Sequence, residues 1–541
     1  MSDIVYYKEN LPRAVDGTCM WLVEDAVFLS WLNQKPSSLL WITGHPGCGK
    51  SMLAAFMVDY LKSKSRIPAT VCYFFIVDNI DHQNNSLCIL RSVVAQFLRQ
   101  RRDLIHHARK FVKRRQLHRL EVMWDLFVTL IGDASAGITT LIIDALDECD
   151  EESRNQLLRL IGRIFDRRSS DARLEKAQLK LVITSRRDPS LGVKLSTLPI
   201  IRLELENHKA VGQAIGLYIH AKVAELMRIT GYSKDTATFI ETQLQVKAEN
   251  TYLWVRLVFE NMERVMSERG GASIKDFQEI VKSLPLEVQS LYASILRSIR
   301  NEERSHAVQL LQIITMAFRP LTIKELNIMV QLLKWHSKTL SELDEETQGN
   351  FERALDSLRG FVRVADSKIY LIHQSAKEFL TRISERPVPG IVPDFSVSSA
   401  DAHLQLADAC ISFLMLREFE QPLLDKYASH AAESSTAYQE THQKDPLPPM
   451  DNDACTHPFF DYAALNWAKH FTMCEAIAPP ELLNKYILIS TMDGTHRLMN
   501  WLRYLWYSKT YEPCPEYFNP LIVAAYFGHG KVLRRLLETC G

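Results

Sequence analysis

The sequence predicts an α/β domain on a parallel sheet within the first 206 residues, then a mainly helical remainder. Three observations predict it. Five short apolar runs, Ser38–Thr43, Ala69–Asp78, Thr139–Asp144, Leu179–Thr184 and Ile200–Leu205, are mostly continuous rather than alternating. That is the habit of strands buried on both faces. Between them, Ser51–Leu61, Leu87–Val112, Met123–Gly132 and Glu152–Asp166 have helical spacing, and strands alternating with helices argue a doubly wound sheet. After about residue 206 the strand signal nearly vanishes.

The parts follow in order. Residues 1–30 form a lead-in segment and 31–206 the sheet domain. Residues 207–300 read as a small helical domain: Asn207 is placed to cap a helix through Ile219 to Leu226, and amphipathic segments follow at Thr236–Val246, Tyr252–Val265, Ser273–Ser283 and Leu286–Ile299. Residues 301–385 differ. Helices are expected at Ser305–Met316 and Phe351–Leu358, and Thr322 with Glu325 has capping-box spacing. Phe361–Ala365 and Lys368–Ile372 flank a turn at Asp366 and Ser367, as in a β-hairpin, and Ser375 with Glu378 gives a second capping box. Helices plus a hairpin in so short a span resemble a winged helix. Residues 386–512 form a helical region. It opens on a linker, since 384–397 holds three prolines, and contains a polar mobile loop at 428–458. Helices are expected at Ala400–Leu416 and from Phe459–Phe471 on to about Trp506. Residues 513–541 are a separate tail.

Composition excludes several classes. Lys+Arg and Asp+Glu both number 64, so the formal net charge is zero. A globally basic nucleic-acid binder and an acidic disordered chain are both excluded. The 10 cysteines form no C-x-x-C pair, which argues against a disulfide scaffold and a zinc ribbon. The N-terminus lacks a basic region followed by an apolar stretch, and no apolar run approaches the ~18 residues of a membrane span. A soluble, cytoplasmic protein with reduced thiols is expected.

The chemistry-bearing residues begin at Gly44. Gly44, His45, Pro46, Gly47, Cys48, Gly49, Lys50 and Ser51 match G-x-x-x-x-G-K-[ST], between a strand and a helix that starts near Met52. Glycines let backbone N–H groups converge on phosphate oxygens, and the helix N-terminus adds its dipole. Lys50 is placed to reach the β- and γ-phosphates of ATP or ADP, and the Ser51 hydroxyl to ligate Mg²⁺. Asp144 ends an apolar strand. A carboxylate there needs a cation, so Asp144 is the second expected Mg²⁺ ligand. Asp147 and Glu148 lie just beyond, where a water attacking the γ-phosphate would be held. The Leu181–Thr184 strand continues into Ser185, Arg186 and Arg187, which resembles the sensor 1 motif of P-loop NTPases, and that resemblance implies that Arg186 contacts the γ-phosphate. Asp147, Glu148 and Arg186 are thus the catalytic candidates. The strand at Ala69–Asp78 separates the two motifs in sequence, as in P-loop folds with an inserted strand.

Taken together, these three motifs resemble a NACHT-type NTPase of the STAND class, of the fungal NACHT–ankyrin, nephrocystin 3-like kind. Thr18, Cys19 and Trp21 resemble that subset's lead-in segment. Tyr252, Leu253 and Trp254 resemble its "FLW" helix, Arg319 to Leu326 its "RPLT-x-x-EL" segment, and His373 with Ser375 its winged-helix "H-x-S" motif. Pro458 to Ala464 resemble the block that precedes ankyrin repeats. In the tail, Pro520, Leu521, Ala524, Ala525, Gly528, His529, Val532, Leu536 and Leu537 match an ankyrin repeat, whereas Asn519 and Ile522 depart from it. One repeat cannot bury its own faces. Either it docks on the preceding helices or the array continues, and the second is expected. The adenine-contacting G-x-P motif of related ATPases is not evident near 250–255, which leaves adenine against guanine open.

The resemblance implies a nucleotide-operated signalling switch. ADP holds it closed, ATP exchange opens it to self-assembly into a homo-oligomer, and hydrolysis resets it slowly. Ankyrin repeats sense protein partners, with no nucleic acid and no membrane span involved. It also implies that His373 donates to the β-phosphate of ADP in the closed state; by itself the residue reads equally as a histidine satisfying a backbone carbonyl. Two alternatives stay open: a constitutively active ATPase, and a scaffold with a structural nucleotide site. Three features have bland readings. Arg99–Arg119 carries nine Lys/Arg and one Asp, a solvated helical face. His106 and His107 show no third metal ligand nearby in sequence. Cys48 fills space in the phosphate loop unless Lys50 and the helix terminus lower its thiol pKa.

Overall fold

The computed structural model describes residues 15–540 except 35–36, 65–69, 78–83, 113–116, 118, 166–170, 188–190, 192–198, 204–207, 232, 249–250, 270–278, 280, 282–283, 286, 336, 344–347, 386–394, 424–456, 510–513 and 516. The Asn207 cap, most of the helix expected at Ser273–Ser283, residues 386–394 of the linker and nearly all of the polar loop lie outside the described residues. The chain divides into two compact units, Met1–Ile295 and Leu296–Gly541.

The first unit is built on five parallel strands: β1 (Ser38–Thr43), β2 (Thr70–Phe75), β3 (Ile138–Asp144), β4 (Gln178–Ser185) and β5 (Ile200–Arg202), in the order β2-β3-β4-β1-β5. Every residue of β1 and β2 is buried, as continuous apolar strands require. The strand between β1 and β3 is β4. Its register sets Thr43 beside Ser185 and Ile143 beside Ile183, so the ends of three strands meet at one edge.

Helices join the strands. These are α1 (Ala26–Asn33), α2 (Lys50–Lys64), α3 (Ser86–Gln100), α4 (Ile105–Val112), α5 (Leu120–Ile131), α6 (Glu151–Phe165) and α7 (Ala172–Lys176). The single helix expected over Leu87–Val112 is in fact α3 and α4, separated by a 3₁₀ turn at Arg102–Leu104. Arg101 takes a non-helical backbone there, and its side chain binds Asp103 and the carbonyl of Ala136. A charged residue can end a helix through long-range contacts that leave no local breaker in the sequence. The unit is completed by α8 (His208–Thr230), α9 (Lys234–Lys247), α10 (Tyr252–Arg269) and most of α11 (Val288–Arg297).

The second unit opens with α12 (Asn301–Met316), β6 (Leu321–Thr322), α13 (Ile323–Trp335), α14 (Gln348–Ser357), β7 (Val362–Ala365), β8 (Lys368–Leu371) and α15 (Gln374–Glu385). The three strands form an antiparallel sheet in the order β6-β8-β7. Thr322 and Glu325 form the expected box: Thr322 N–H donates to Glu325 Oε2 at 2.7 Å, and Glu325 N–H to Thr322 Oγ1 at 3.1 Å. The hairpin turns on Asp366 and Ser367 with φ of 46° and 61°, the two positive angles of a type I′ turn. The second box differs from expectation. The helix starts at Gln374, and it is His373 that caps it, its Nδ1 accepting from Ser375 N–H at 3.0 Å.

Among the described residues six further helices follow: α16 (Ser399–Leu414), α17 (Phe460–Cys474), α18 (Pro480–Ile489), α19 (Arg497–Lys509) and the pair α20 (Pro520–Phe527) and α21 (Gly530–Cys540). The tail pair docks on the preceding helices. His529 is fully buried and bonds Thr472 Oγ1 (2.9 Å), Ala468 O (3.2 Å) and Tyr486 OH (2.8 Å). Its neighbour Phe527 meets Trp467 edge-on. A buried polar chain crosses the middle of the unit. Phe318 N–H donates to Tyr462 OH, the hydroxyl bonds His470 Nε2 at 2.9 Å, and His470 Nδ1 meets His403 Nδ1 at 2.8 Å.

Candidate nucleotide site

Strand β1 ends at Thr43 and α2 begins at Lys50, so residues 44–49 make the whole turn. The conformation demands its glycines. Gly47 and Gly49 have φ of +76° and +99°, where L side chains are strained. A Cβ on Gly47 would stand 2.6 Å from Leu253 Cβ, and one on Gly49 would stand 2.9 Å from the Tyr252 ring. The start of α10 thus lies directly on the loop, and Leu253 N–H donates to Gly47 O at 3.2 Å. His45 and Pro46 are exposed at the loop's tip. Lys50 Nζ donates to the carbonyls of Gly44 (2.8 Å) and His45 (2.9 Å), which holds the ammonium beside the loop. Cys48 is buried. Its Sγ is 3.9 Å from Lys50 Nζ and stands where a Cβ on Gly44 would fall; it fills space.

Ser51, in the first turn of α2, lies close enough to Asp144, the last residue of β3, to lower its pKa. Asp144 is 1% exposed. Burial raises its pKa, while the nearby Ser51 hydroxyl, the Thr184 bond and the Lys50 charge pull it down. A buried carboxylate needs cationic compensation, and Ser51 with Asp144 is the hydroxyl–carboxylate donor set that suits Mg²⁺. Thr184 is a site residue missed at the sequence level. Its Oγ1 donates to Asp144 Oδ1 at 2.5 Å and accepts from Ala145 N–H at 2.9 Å. Ala145 itself is left-handed, with φ 58°, a strain that clusters at functional sites. No spacing rule reveals Thr184, because only the strand order sets β4 beside β3.

Asp147 sits on the 3₁₀ turn Leu146–Glu148. Its carboxylate accepts from Arg186 N–H at 3.0 Å and pairs with Arg186 Nε at 3.2 Å. Two of the three expected catalytic groups, Asp147 and Arg186, therefore hold each other, which orients Arg186 just beyond β4. Trp41 fixes the same strand end, its Nε1 donating to Ser185 Oγ at 2.9 Å. Glu148 follows on the same turn, half-buried, with its N–H bonded to Ala145 O.

Beside the loop is a cavity lined by Cys19, Trp21, Met52, Leu53, Leu203 and Tyr252. The lead-in segment, α2, the end of β5 and α10 all converge there. Thr18 and Cys19 are buried, with Thr18 Oγ1 bonded to Val15 O. Tyr252 packs edge-on against Tyr218. The cavity's volume is only about 20 Å³, so these apolar and aromatic side chains close the space beside the phosphate loop. The sequence marks Trp21 and Tyr252 only as parts of motifs, and their convergence needs the fold. His373 belongs to the second unit. With Nδ1 accepting from Ser375 N–H, its neutral ring carries the proton on Nε2.

Comparison with known proteins agrees with this geometry. Residues 17–186 match the family model described as "Nephrocystin 3, N-terminal". The vegetative incompatibility protein HET-E-1 of Podospora anserina is 28% identical over 374 residues, covering 68% of this chain and 26% of its own length. The chain thus spans about a quarter of that curated relative. Among solved structures, a STAND protein with a tetratricopeptide repeat sensor from Pyrococcus horikoshii aligns over 93% of this chain and 65% of its own, at TM-score 0.39 and 14% identity. The ADP form of the Aeropyrum pernix ORC2 protein aligns over 67% and 90%, at TM-score 0.33 and 13% identity. The motif-based recognition is borne out: the N-terminal part of the chain is a NACHT-like P-loop NTPase module.

Proposed function

We propose that this NACHT-like module makes the chain a nucleotide-operated signalling switch acting in the cytoplasm. One observation carries the reading: Lys50, Ser51, Asp144 and Thr184 converge at the end of β3, beside the glycine loop. Loop amides and Lys50 take the phosphates of ATP or ADP. Ser51 and Asp144 hold Mg²⁺, which when bound offsets charge on phosphate oxygens. Glu148 holds the water for a slow hydrolysis, while Asp147 keeps Arg186 aimed at the γ-phosphate. The helix-and-hairpin module at 301–385 acts as a winged helix, and its His373 donates from Nε2 to ADP in the closed state. The helix pair at 520–540 is an ankyrin repeat whose exposed Leu521, Ile522, Tyr526 and Leu537 face a partner or a further repeat. Opening permits self-assembly.

Nucleotide-dependent melting tests this. A ligand at 100 times its Kd stabilises the fold by ~2.7 kcal/mol, so MgADP and MgATP should each raise the melting temperature, and Lys50→Ala should abolish both shifts. An undiminished shift in that variant would remove the phosphate-site assignment. In the same titration His373→Ala should weaken ADP much more than ATP and promote oligomers on size exclusion. Equal losses without oligomers would leave His373 as a helix cap.

A further inference from the structure

His106 and His107 have no third ligand near them in sequence, but the fold supplies one. Asp133, in the loop after α5, faces the N-terminal turn of α4. One ligand atom from each of His106, His107 and Asp133 lies within 4.8 Å of the others. Three features preorganise the group. Asp133 Oδ1 is held by Ser135 N–H (2.8 Å) and Ser135 Oγ (2.7 Å), which turns Oδ2 to His107 Nε2 at 2.8 Å. His106 Nδ1 lies 3.0 Å from Asp103 O. A carbonyl only accepts, so the ring proton sits on Nδ1 and the lone pair on Nε2. That is how metal-ligating histidines are oriented by their second partner. Finally, the two imidazoles pack with centroids 4.1 Å apart, so both rings already share one side of the helix.

The charge balance permits a cation. Arg101 is bonded to Ala136 O and close to Ser135, and Asp103 pairs its guanidinium through both Nε (3.1 Å) and Nη2 (2.6 Å); Arg109 and Lys110 lie one turn further along α4. The Asp133 carboxylate accepts from Ser135 through Oδ1 and meets His107 through Oδ2, so both of its oxygens are oriented. His107 and Asp133 are partly sheltered, with side chains 18% and 25% exposed, whereas His106 is exposed and leaves solvent access for a further ligand.

We propose that His106, His107 and Asp133 form a binding site for a divalent transition-metal ion, with Zn²⁺ as the ion they fit and water as the fourth ligand. Two imidazoles and one carboxylate favour Zn²⁺ and its neighbours over Mg²⁺ or Ca²⁺, which take oxygen ligands. Small rotations of the two rings bring the ligand atoms to the ~3.3 Å separations of a tetrahedral site. On binding, the proton that His107 Nε2 gives to Asp133 moves to Nδ1 of the same ring through solvent, so the neutral imidazole offers its Nε2 lone pair to the ion. The ion then staples α4 to the loop that feeds β3, the strand that ends in Asp144.

The test uses the full chain, freed of metal by a chelator and titrated with Co²⁺ and with Zn²⁺. One equivalent should bind. Co²⁺ should give visible bands of nitrogen and oxygen ligation without the near-ultraviolet charge-transfer band of a thiolate, a necessary distinction because the chain has cysteines. His106→Ala, an exposed change, and Asp133→Asn should each weaken binding at least tenfold with unchanged circular dichroism. Wild-type affinity in His106→Ala would overturn the site. So would a thiolate band, or no uptake by the wild type.

Discussion

At the residue scale, the candidate site depends on how one buried carboxylate is kept in place. Asp144 is desolvated on every side and is made tolerable by Ser51, Thr184 and the Lys50 charge. Thr184→Val keeps shape but removes a donor to Asp144 and an acceptor for Ala145 N–H. Each orphaned buried group costs about 1–3 kcal/mol, so the melting temperature should fall. Loss of an orienting partner also lowers metal affinity about tenfold, so half-saturation by Mg²⁺, read with bound ADP, should move up by that factor. An unshifted Mg²⁺ titration would reduce Thr184 to a packing residue. The pair Asp147 and Glu148 divides similarly. Because Asp147 is engaged with Arg186, Glu148→Gln should keep ATP affinity and lose turnover. A large loss of affinity would instead make Glu148 a structural acid. The glycines, Lys50, Ser51 and Asp144 were legible because their chemistry requires fixed spacing. Thr184 and the His106–His107–Asp133 group were not: their partners come from 40 and 26 residues away, through a strand order and a helix break that spacing does not encode.

At the scale of elements, legibility followed the source of each signal. The buried parallel strands stood out because both faces are apolar, and β1 and β3 end where the sequence expected them. The Thr322 box and the Asp366–Ser367 turn were legible because both are local chemistry. The same logic misplaced the α15 cap: Ser375 has the spacing, but His373 makes the bond to the Ser375 amide. Two substitutions in the α13 box separate a local role from a tertiary one. Thr322→Ala removes one cap bond and should cost ~1 kcal/mol. Glu325 is 3% exposed, and besides closing the box it holds the Arg319 guanidinium with both oxygens, at 2.7 and 3.0 Å. Arg319 also reaches Asp461 on α17 at 2.7 Å. Glu325→Ala leaves a largely buried arginine with half its partners, a loss of about 3 kcal/mol or more. Denaturant unfolding of the two variants should therefore differ by at least a factor of two in lost stability. Equal losses would show that the Arg319 contacts add nothing beyond the cap.

At the scale of the molecule, the chain folds as two units, and the second shows how a buried network governs stability as a whole. Tyr462 OH accepts from Phe318 N–H, so its own proton goes to His470 Nε2; His470 then donates from Nδ1 to His403 Nδ1. Every member is satisfied only while both rings are neutral, because a second proton between the facing Nδ1 atoms leaves two donors opposed. Burial, aided by Lys377, lowers the His403 pKa to about 4; burial, aided by His403 and Lys469, lowers that of His470 well below the ordinary value. Both folded values lie below the unfolded ~6.5. Their contribution is therefore complete above pH 6.5. It falls as pH drops, because the unfolded chain takes up protons that the folded chain refuses. For His403 alone, the loss between pH 6.5 and 4 is about 3 kcal/mol. His403→Gln retains an acceptor in its Oε1 for His470 but removes one titrating ring. Melting temperature measured from pH 7.5 to 5 should fall more steeply in the wild type than in the variant, with the curves parallel above pH 7. Identical acid slopes would mean that the acid sensitivity comes from other groups and that this histidine pair is silent over that range.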